Sequence, residues 1–216
     1  MKDKNIRALR GKPLIAYTIN VALSCKLLND VIVSTDSTVI ENAAKQFGIG
    51  EIIHRPSELA TDTASKWKVF IHAVKMYERA HEVDVDYIVD MDVTVPLKKT
   101  VDIEGAIQLA LEDNAADVVI TGYEPERNPY FNMMEINEAG FAQIVKEPCT
   151  PIVRRQDAPT VYSLTPAAYV IKKQALYDYE HWSKAKCKIY VMPRARAIDV
   201  DTELDFKLVE FLMQNC

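Results

Sequence analysis

The sequence lacks three features that would assign it to common classes of protein. No apolar run approaches the ~18 residues that a membrane span needs, and the first residues are polar rather than an apolar leader. The 4 cysteines form no Cys-x-x-Cys pair, which argues against a sequence-local zinc site or a disulfide framework. The 26 Lys plus Arg are outnumbered by 31 Asp plus Glu, so no basic field attracts nucleic acid or an anionic membrane. We therefore expect a soluble, cytoplasmic protein with reduced thiols, no membrane partner and no nucleic-acid partner.

What the sequence does have is an alternation of short apolar strands and amphipathic helices. This pattern predicts a mostly parallel sheet wrapped by helices. The chain length fits one such α/β domain spanning residues 1–216. Ligands of such sheets bind at the carboxyl ends of the strands. The predicted strands are 31–34, 52–55, 87–93, 117–122 and 162–172, and the predicted helices are 14–27, 38–47, 65–79, 101–113 and 174–179.

The alternation is interrupted between about residues 123 and 161. Two short apolar segments, 132–136 and 141–145, flank a polar turn and predict an inserted β-hairpin. Phe131, Met133 and Phe141 give this hairpin an apolar edge that a monomer would leave exposed. We therefore predict that the hairpin packs against a second copy of the chain.

Two acids near the C-terminus are candidates for a functional site. Residues 188–193 predict a strand, and Thr202 can cap the helix that follows. If the extended backbone continues past residue 193, Asp199 and Asp201 lie on one face, where two carboxylates can hold one hard cation. The alternative is that both are solvated turn residues, because an Asp-x-Asp motif is weak on its own.

Other polar side chains stand where strands are predicted to end. Arg55 could bind a base edge or a phosphate through its planar fork of donors, although it also precedes a capped helix entrance. Asp90 and Asp92 alternate at the end of a strand that ought to be apolar, so they need partners or a ligand. Arg154 and Arg155 follow the hairpin and are candidates either for surface ion pairs or for binding phosphate or carboxylate.

Six short motifs run in order along nearly the whole chain: Lys4-Asn5-Ile6-Arg7 with Gly11-Lys12-Pro13-Leu14-Ile15, Val33-Ser34-Thr35-Asp36, Arg55-Pro56-x-x-Leu59-Ala60-x-Asp62, Thr94-x-Pro96-Leu97, Arg154-Arg155-Gln156-Asp157 and Ala197-Ile198-Asp199-Val200-Asp201-Thr202. Together they resemble the acylneuraminate cytidylyltransferase family, the CMP-sialic acid synthetases. The resemblance implies a Rossmann-like nucleotidyltransferase fold and a homodimer joined through the inserted hairpin. It also implies transfer of CMP from CTP to a nonulosonic acid, a sialic-acid-like sugar, with release of pyrophosphate.

The resemblance implies roles for the reacting end of the site. Asp199 and Asp201 match the family's magnesium-binding pair, so Mg²⁺ is the expected cofactor. Lys4 matches a lysine that faces the triphosphate. Lys4, Asp199 and Asp201 are therefore the expected catalytic residues.

It also implies the residues that bind the two substrates. Asn5 and Arg55 match positions at the cytosine, and Arg155 and Gln156 belong to the motif expected at the substrate. Asp92 occupies the position where many members carry a sugar-contacting glutamine, and this replacement leaves the identity of the sugar open.

Two further departures from the family pattern are visible. Thr165-Pro166 stands where many members have Asn-Gly. The family also has a first apolar strand and a phosphate-binding loop before its Lys-Asn pair, and only Met1-Lys2-Asp3 precedes Lys4 here. We expect either a truncated chain or a protein without activity, and favour truncation because the acids and the base-side loop would otherwise have no purpose.

The expected chemistry needs positioning and charge neutralisation more than proton transfer, because the sugar hydroxyl attacks the α-phosphate in line as pyrophosphate leaves. The sequence shows no general base. Two alternatives remain open at this point: a non-catalytic dimeric module that binds a nucleotide or a sugar, and a glycosyltransferase with an Asp-x-Asp metal site.

Overall fold

The computed structural model describes residues 3–61 and 63–214. Asp62, which is part of one of the six motifs, lies outside the described residues. Short 3-10 turns occur at Lys4–Ile6, Ser57–Leu59, Arg155–Asp157, Trp182–Lys184 and Arg194–Arg196. None of the helices in these two ranges is long and apolar enough to cross a membrane. Within them the elements are β1 Ala8–Leu9, β2 Lys12–Pro13, α1 Leu14–Ser24, β3 Ile32–Thr35, α2 Thr38–Gln46, β4 Glu51–His54, α3 Lys66–His81, β5 Tyr87–Asp90, α4 Thr100–Glu112, β6 Val118–Tyr123, β7 Met134–Ile136, β8 Ala142–Ile144, β9 Ser163–Lys172, α5 Ala175–Asp178, β10 Cys187–Val191 and α6 Glu203–Gln214.

The central sheet has four strands in the order β10-β6-β9-β5. β10 runs parallel to β6, but β9 runs antiparallel to both β6 and β5. The α/β class is confirmed, and the sheet is mixed: β10, β6 and β5 point in one direction and β9 runs against them. The reason is that β6 connects to β9 through the inserted hairpin, and a connection without a crossover helix returns a strand in the opposite direction.

Helices cover both faces of this sheet because successive strand residues point to opposite sides. Val119 of β6 packs with Ile103 and Ile107 of α4 on one face. Val118 and Ile120 pack on the other face with residues of α3 and α5. The sheet is thereby the middle layer of three.

A separate parallel pair, β3 and β4, lies beside this sheet, and α2 connects its two strands. Ile15 and Ile19 of α1 pack with Ala44 of α2 and with partly buried residues of both strands. In the described ranges, β3 and β5 belong to different sheets. The strands of this pair end at Thr35 and His54, which leads directly into Arg55.

The inserted segment contains the expected hairpin. β7 and β8 pair antiparallel, with Met134 opposite Ile144 and Ile136 opposite Ala142. The turn closes on Asn137, whose side-chain oxygen accepts from the backbone N–H of Ala139 at 3.1 Å. Of the predicted apolar edge, Met133 and Phe141 are 42% and 71% exposed, whereas Phe131 is half-buried. Ile136, which was not part of that prediction, is 70% exposed.

Candidate active site at the carboxyl edge of the central sheet

Acidic side chains gather where β5 and β10 lead out of the central sheet. β5, β6 and β10 point in one direction, since both β5 and β6 are antiparallel to β9 and β10 is parallel to β6. Asp90 is the last residue of β5, and the chain continues to Asp92, whose N–H donates to Pro166 O at 3.1 Å. The predicted strand 87–93 therefore ends early, and Asp92 stands on the loop that follows it.

Residues 197–201 approach the same edge, but not as a continuation of β10. The strand ends at Val191 and a 3-10 turn at Arg194–Arg196 redirects the chain, so Asp199 and Asp201 do not share the face of one strand as expected. The segment is held instead by hydrogen bonds to its backbone. The Thr165 hydroxyl donates to Ala197 O at 3.0 Å, and Val200 N–H donates to Thr94 O at 2.8 Å.

A buried ion pair fixes the turn before this segment. Arg196 donates through Nε and Nη2 to the two carboxylate oxygens of Asp102, at 2.9 and 2.6 Å. The Asp102 side chain is fully buried in the first turn of α4. Thr165 is also buried, so its departure from the family's Asn-Gly has a structural role in this fold.

The structure brings together the three residues expected to be catalytic. Lys4 Nζ donates to Asp201 Oδ1 at 3.0 Å and lies 3.4 Å from Val200 O. Asp199 is half-buried, and its Oδ1 is buried without a hydrogen-bond partner. Burial raises the pKa of Asp199, and the negative charges of Asp201 and Asp92 act in the same direction, while the neighbouring Thr94 hydroxyl and Lys4 oppose them.

These residues fit a hard divalent cation. Carboxylate oxygens are the ligands that Mg²⁺ prefers, and it is usually held by one or two of them together with substrate phosphates and water. A buried carboxylate oxygen without a partner is costly unless a ligand compensates it. Among the described residues no group of three or more His, Cys, Asp or Glu side chains could hold a metal. Asp199 and Asp201 would therefore supply two ligands at most.

Thr202 and Asp205 serve the helix that follows rather than this site. Asp205 Oδ2 accepts from the N–H of Thr202 at 2.7 Å and from that of Asp201 at 3.2 Å. The Thr202 hydroxyl lies 3.3 Å from the N–H of Asp205, as in a capping box. The predicted cap is confirmed, and the cap fixes the backbone of Asp201.

Asp90 and Asp92 share a lysine that the sequence did not single out. Lys66 Nζ lies 2.8 Å from Asp92 Oδ2 and 3.5 Å from Asp90 Oδ2. Although burial opposes it, the two carboxylates raise the pKa of Lys66. The Thr94 hydroxyl donates to Asp92 Oδ1 at 3.1 Å, which links this acid pair to the segment that carries Asp199.

A second unforeseen lysine, Lys98, is buried beneath the acids. Its ammonium donates to Thr18 Oγ1 at 2.7 Å, to Val95 O at 3.1 Å and to Asp92 O. Burial lowers the pKa of Lys98 to about 7, although the charges of Asp92, Asp90 and Asp199 oppose this shift. Lys98 thereby ties together the carbonyls of the loop after β5. No local pattern in the sequence predicts that this lysine is buried.

The residues expected at the cytosine lie on the side of the β3–β4 pair. Arg55 follows β4, and its Nη2 donates to Ser34 O at 2.7 Å. Asn5 shares the 3-10 turn of Lys4, which packs against α1 and α2. Asn5 is half-buried, and the turn places it one residue from the lysine that contacts Asp201.

Arg155 and Gln156 lie instead in the inserted segment. Arg155 Nη2 donates to Pro125 O at 2.9 Å, and Gln156 lines a shallow groove with Asn128 and Pro159. Arg154 pairs with Asp157 through two contacts of 2.8 and 2.9 Å, which is the surface ion pair given above as the alternative. The hydrogen bond of Arg155 to a described residue stays within this segment, which is remote from the acids in the sequence.

The α/β fold of this chain has a counterpart among solved structures. The chain has a TM-score of 0.68 to the structure of CMP:2-keto-3-deoxy-manno-octonic acid synthetase complexed with CTP, at 19% identity, over 98% of this chain and 92% of that one. This likeness shows a shared fold.

The sequence comparisons give the family. The profile described as cytidylyltransferase matches residues 1–215. The chain is 33% identical to the post-translational flagellin modification protein B of Campylobacter coli, over 100% of this chain and 90% of the relative. It is 32% identical to the CMP-N,N'-diacetyllegionaminic acid synthase of Campylobacter jejuni, over 99% and 89%. The chain belongs to the cytidylyltransferase family, which confirms the predicted family and the prediction that it is an enzyme.

Proposed function

We propose that this protein transfers CMP from CTP to a nonulosonic acid, releasing pyrophosphate and giving a CMP-activated sugar. Family membership supports the class of reaction. Relatives named as CMP-N,N'-diacetyllegionaminic acid synthase and N-acylneuraminate cytidylyltransferase support the class of sugar. The observation that carries the proposal is the unpartnered, buried Oδ1 of Asp199 beside Asp201 and Lys4.

The roles of the catalytic residues follow from their charges and contacts. Mg²⁺, when bound by Asp199 and Asp201, would neutralise phosphate charge and polarise the reacting oxygens. Lys4 places its ammonium at the same edge, where it can neutralise the triphosphate as the leaving pyrophosphate gains charge. The Asp102–Arg196 pair and the Thr165 hydroxyl keep the segment carrying both acids in place. Rigid placement matters because misplacing a reacting group by about 1 Å can cost a hundredfold in rate.

The substrate-binding roles are part of the same proposal. Asn5 and Arg55 bind the cytosine, because Asn5 follows Lys4 in the same 3-10 turn and Arg55 follows β4 and contacts β3. Asp92 lies at the sugar, beside the acids that hold the metal. Arg155 and Gln156 bind the sugar's anionic part from the inserted segment. For Arg155 and Gln156 to reach the sugar, either a second copy of the chain contributes them or the inserted segment moves.

We further propose that the protein is a homodimer joined through the β7–β8 hairpin. Met134 and Ile136 are exposed on one face of β7, Phe141 is exposed at the turn, and clustered exposed apolar side chains of this kind mark an interface. Changing Phe141 to Asp should produce a monomer at micromolar concentration by sedimentation. A wild-type chain that sediments as a monomer would contradict the proposal.

We also propose that the reaction takes place in the cytoplasm. Cys25, Cys149 and Cys187 are free thiols in the described structure, which suits a reducing compartment.

The experiment that tests the proposed function is pyrophosphate release from each of the four NTPs with a panel of nonulosonic acids. We expect release that requires CTP, a sugar acid and Mg²⁺ together. Stoichiometric binding of CTP without turnover would favour a non-catalytic binding module. Transfer from a nucleotide sugar, with no reaction of CTP, would favour a glycosyltransferase.

A further inference from the structure

Lys66, Asp90 and Tyr169 form a small polar wall beside the acids of the site. Asp90 and Tyr169 stand directly opposite each other in the antiparallel β5–β9 ladder, so their side chains lie on the same face of the sheet. Lys66 begins α3 and reaches over this face, with its ammonium 5.8 Å from the centre of the Tyr169 ring. The ring itself packs against Trp182 at a centroid distance of 6.4 Å.

The wall has unused hydrogen-bonding capacity. An ammonium has three donors, and the described structure directs that of Lys66 to Asp92 at 2.8 Å and to Asp90 at 3.5 Å. The Lys66 side chain is 58% exposed, so a ligand can reach the remaining donor. A carboxylate accepts about four hydrogen bonds, and among the described residues the Asp90 side chain accepts one, the long contact from Lys66.

Asp92, by contrast, is well occupied. Its Oδ2 accepts from Lys66, and its Oδ1 accepts from the hydroxyl and the N–H of Thr94 at 3.1 and 3.3 Å. This carboxylate therefore holds Lys66 in position and leaves Asp90 as the freer acceptor of the pair.

The charge of the wall decides which part of a sugar acid suits it. Two carboxylates accompany one ammonium, so the wall does not attract the anionic carboxylate of the substrate. A neutral group that offers both an acceptor and a donor fits better. An acylamino group has a carbonyl for Lys66, an N–H for Asp90 and a methyl group for the half-buried ring of Tyr169.

We infer that Lys66, Asp90 and Tyr169 bind the acylamino substituent of the sugar acid, and that Lys66 is a specificity-determining residue. The inference rests on the proposed function and adds to it a site for one substituent. It makes the N-acylated sugar acids the preferred substrates over analogues that carry a hydroxyl in the same place.

The test compares two sugar acids that differ only in this substituent, with the wild type, Lys66→Met and Lys66→Arg. The matched control is Lys68→Met, because Lys68 is exposed on the same helix two residues further on. For the N-acylated sugar acid we expect Lys66→Met to lower kcat/KM about ten- to hundredfold, the effect of losing one hydrogen bond to a charged group. The loss on the hydroxyl analogue should be smaller, because that sugar acid offers Lys66 no carbonyl, and the KM for CTP should change less than twofold.

Lys66→Arg should restore part of the preference, and Lys68→Met should leave it intact. Equal losses on the two sugar acids would overturn the inference while leaving the proposed function in place. Calorimetric titration of each sugar acid in the presence of CTP and Ca²⁺ gives a readout without turnover. If the wild type neither binds nor converts any sugar acid, both the proposed function and this inference fail.

Discussion

Replacing Asp199 with Asn should change activity and stability in opposite directions. Asn keeps the shape of the side chain and removes the charge of an oxygen that is buried without a partner. In the absence of metal, this also removes the repulsion from Asp201 and Asp92. The metal-free variant should therefore be at least as stable as the wild type.

The activity should fall steeply. Removing a group that stabilises charge at the reacting phosphate typically costs about 2.7–4 kcal/mol, which is a 10²- to 10³-fold loss in kcat. The assay is pyrophosphate release against Mg²⁺ concentration. In thermal melts, Mg²⁺ should raise the Tm of the wild type by mass action and leave that of Asp199→Asn unchanged.

The pH dependence supplies an independent measurement. Because burial raises the pKa of Asp199, the folded state holds this proton more tightly than the unfolded state does. The metal-free wild type should therefore gain stability as the pH falls from neutral toward about 4, the usual range of an Asp. Asp199→Asn should lack this component, so the difference between the two proteins should shrink on acidification.

Asp205→Asn is the matched control for the same measurement. Asn keeps an oxygen that can accept from Thr202 and Asp201 but removes the negative charge from the N-terminus of α6, so stability should fall by about 0.3–1 kcal/mol without a change in the dependence on Mg²⁺. The reasoning is refuted if Asp199→Asn retains wild-type turnover and wild-type stabilisation by Mg²⁺. The two acids would then be the solvated turn residues that the short motif also allows.

Three further predictions concern Arg55, Arg196 and Lys98. Arg55→Ala should weaken CTP binding about tenfold by calorimetry while removing one hydrogen bond to Ser34 O, worth about 1 kcal/mol of stability; unchanged affinity together with a collapse of the Tm would make the residue structural. Arg196→Met should destabilise the fold by about 3 kcal/mol in urea titrations, because it leaves the buried Asp102 charge unpaired, whereas Arg196→Met with Asp102→Leu should recover much of the loss. Burial lowers the pKa of Lys98 to about 7, so above that pH the folded state binds fewer protons than the unfolded state. The wild type should therefore gain stability relative to Lys98→Met as the pH rises from 7 to about 10. Parallel plots of stability against pH for the two proteins would contradict this prediction.

Much of the fold could be predicted from local pattern, because hydrophobic periodicity determines where helices and strands lie. The predicted helix 38–47 and strand 117–122 agree with α2 and β6 to within about one residue at each end. The direction of β9 could not be predicted in this way, because antiparallel and parallel strands have the same local pattern when both faces are buried. The link from β6 through a hairpin, without a crossover helix, was the available signal.

The residues of the site could be predicted only where they belong to a short sequence motif. Asp199 and Asp201 were identified from their Asp-x-Asp spacing and Lys4 through the family resemblance, and the structure brings Lys4 into contact with Asp201 across the length of the chain. Lys98 and the Arg196–Asp102 pair were missed, because their partners are remote in sequence and a buried charge has no periodic signal. Lys66 was missed for a different reason: a lysine in the first turn of a helix is ordinarily a solvated surface residue.

Under the proposed function, Lys4 has different partners in two states of the site: Asp201 without nucleotide and phosphate oxygens with CTP bound. Both side chains are partly or largely exposed, and an exposed ion pair of this kind contributes about 0–1 kcal/mol. Breaking this ion pair therefore costs little free energy compared with the free energy that an ammonium gains by contacting a triphosphate. On nucleotide binding, Lys4 can exchange Asp201 for phosphate oxygens, and Asp201 becomes available to a cation beside Asp199. Lys98 cannot make such an exchange, because its three acceptors are buried with it, so it holds the loop of Asp92 in both states.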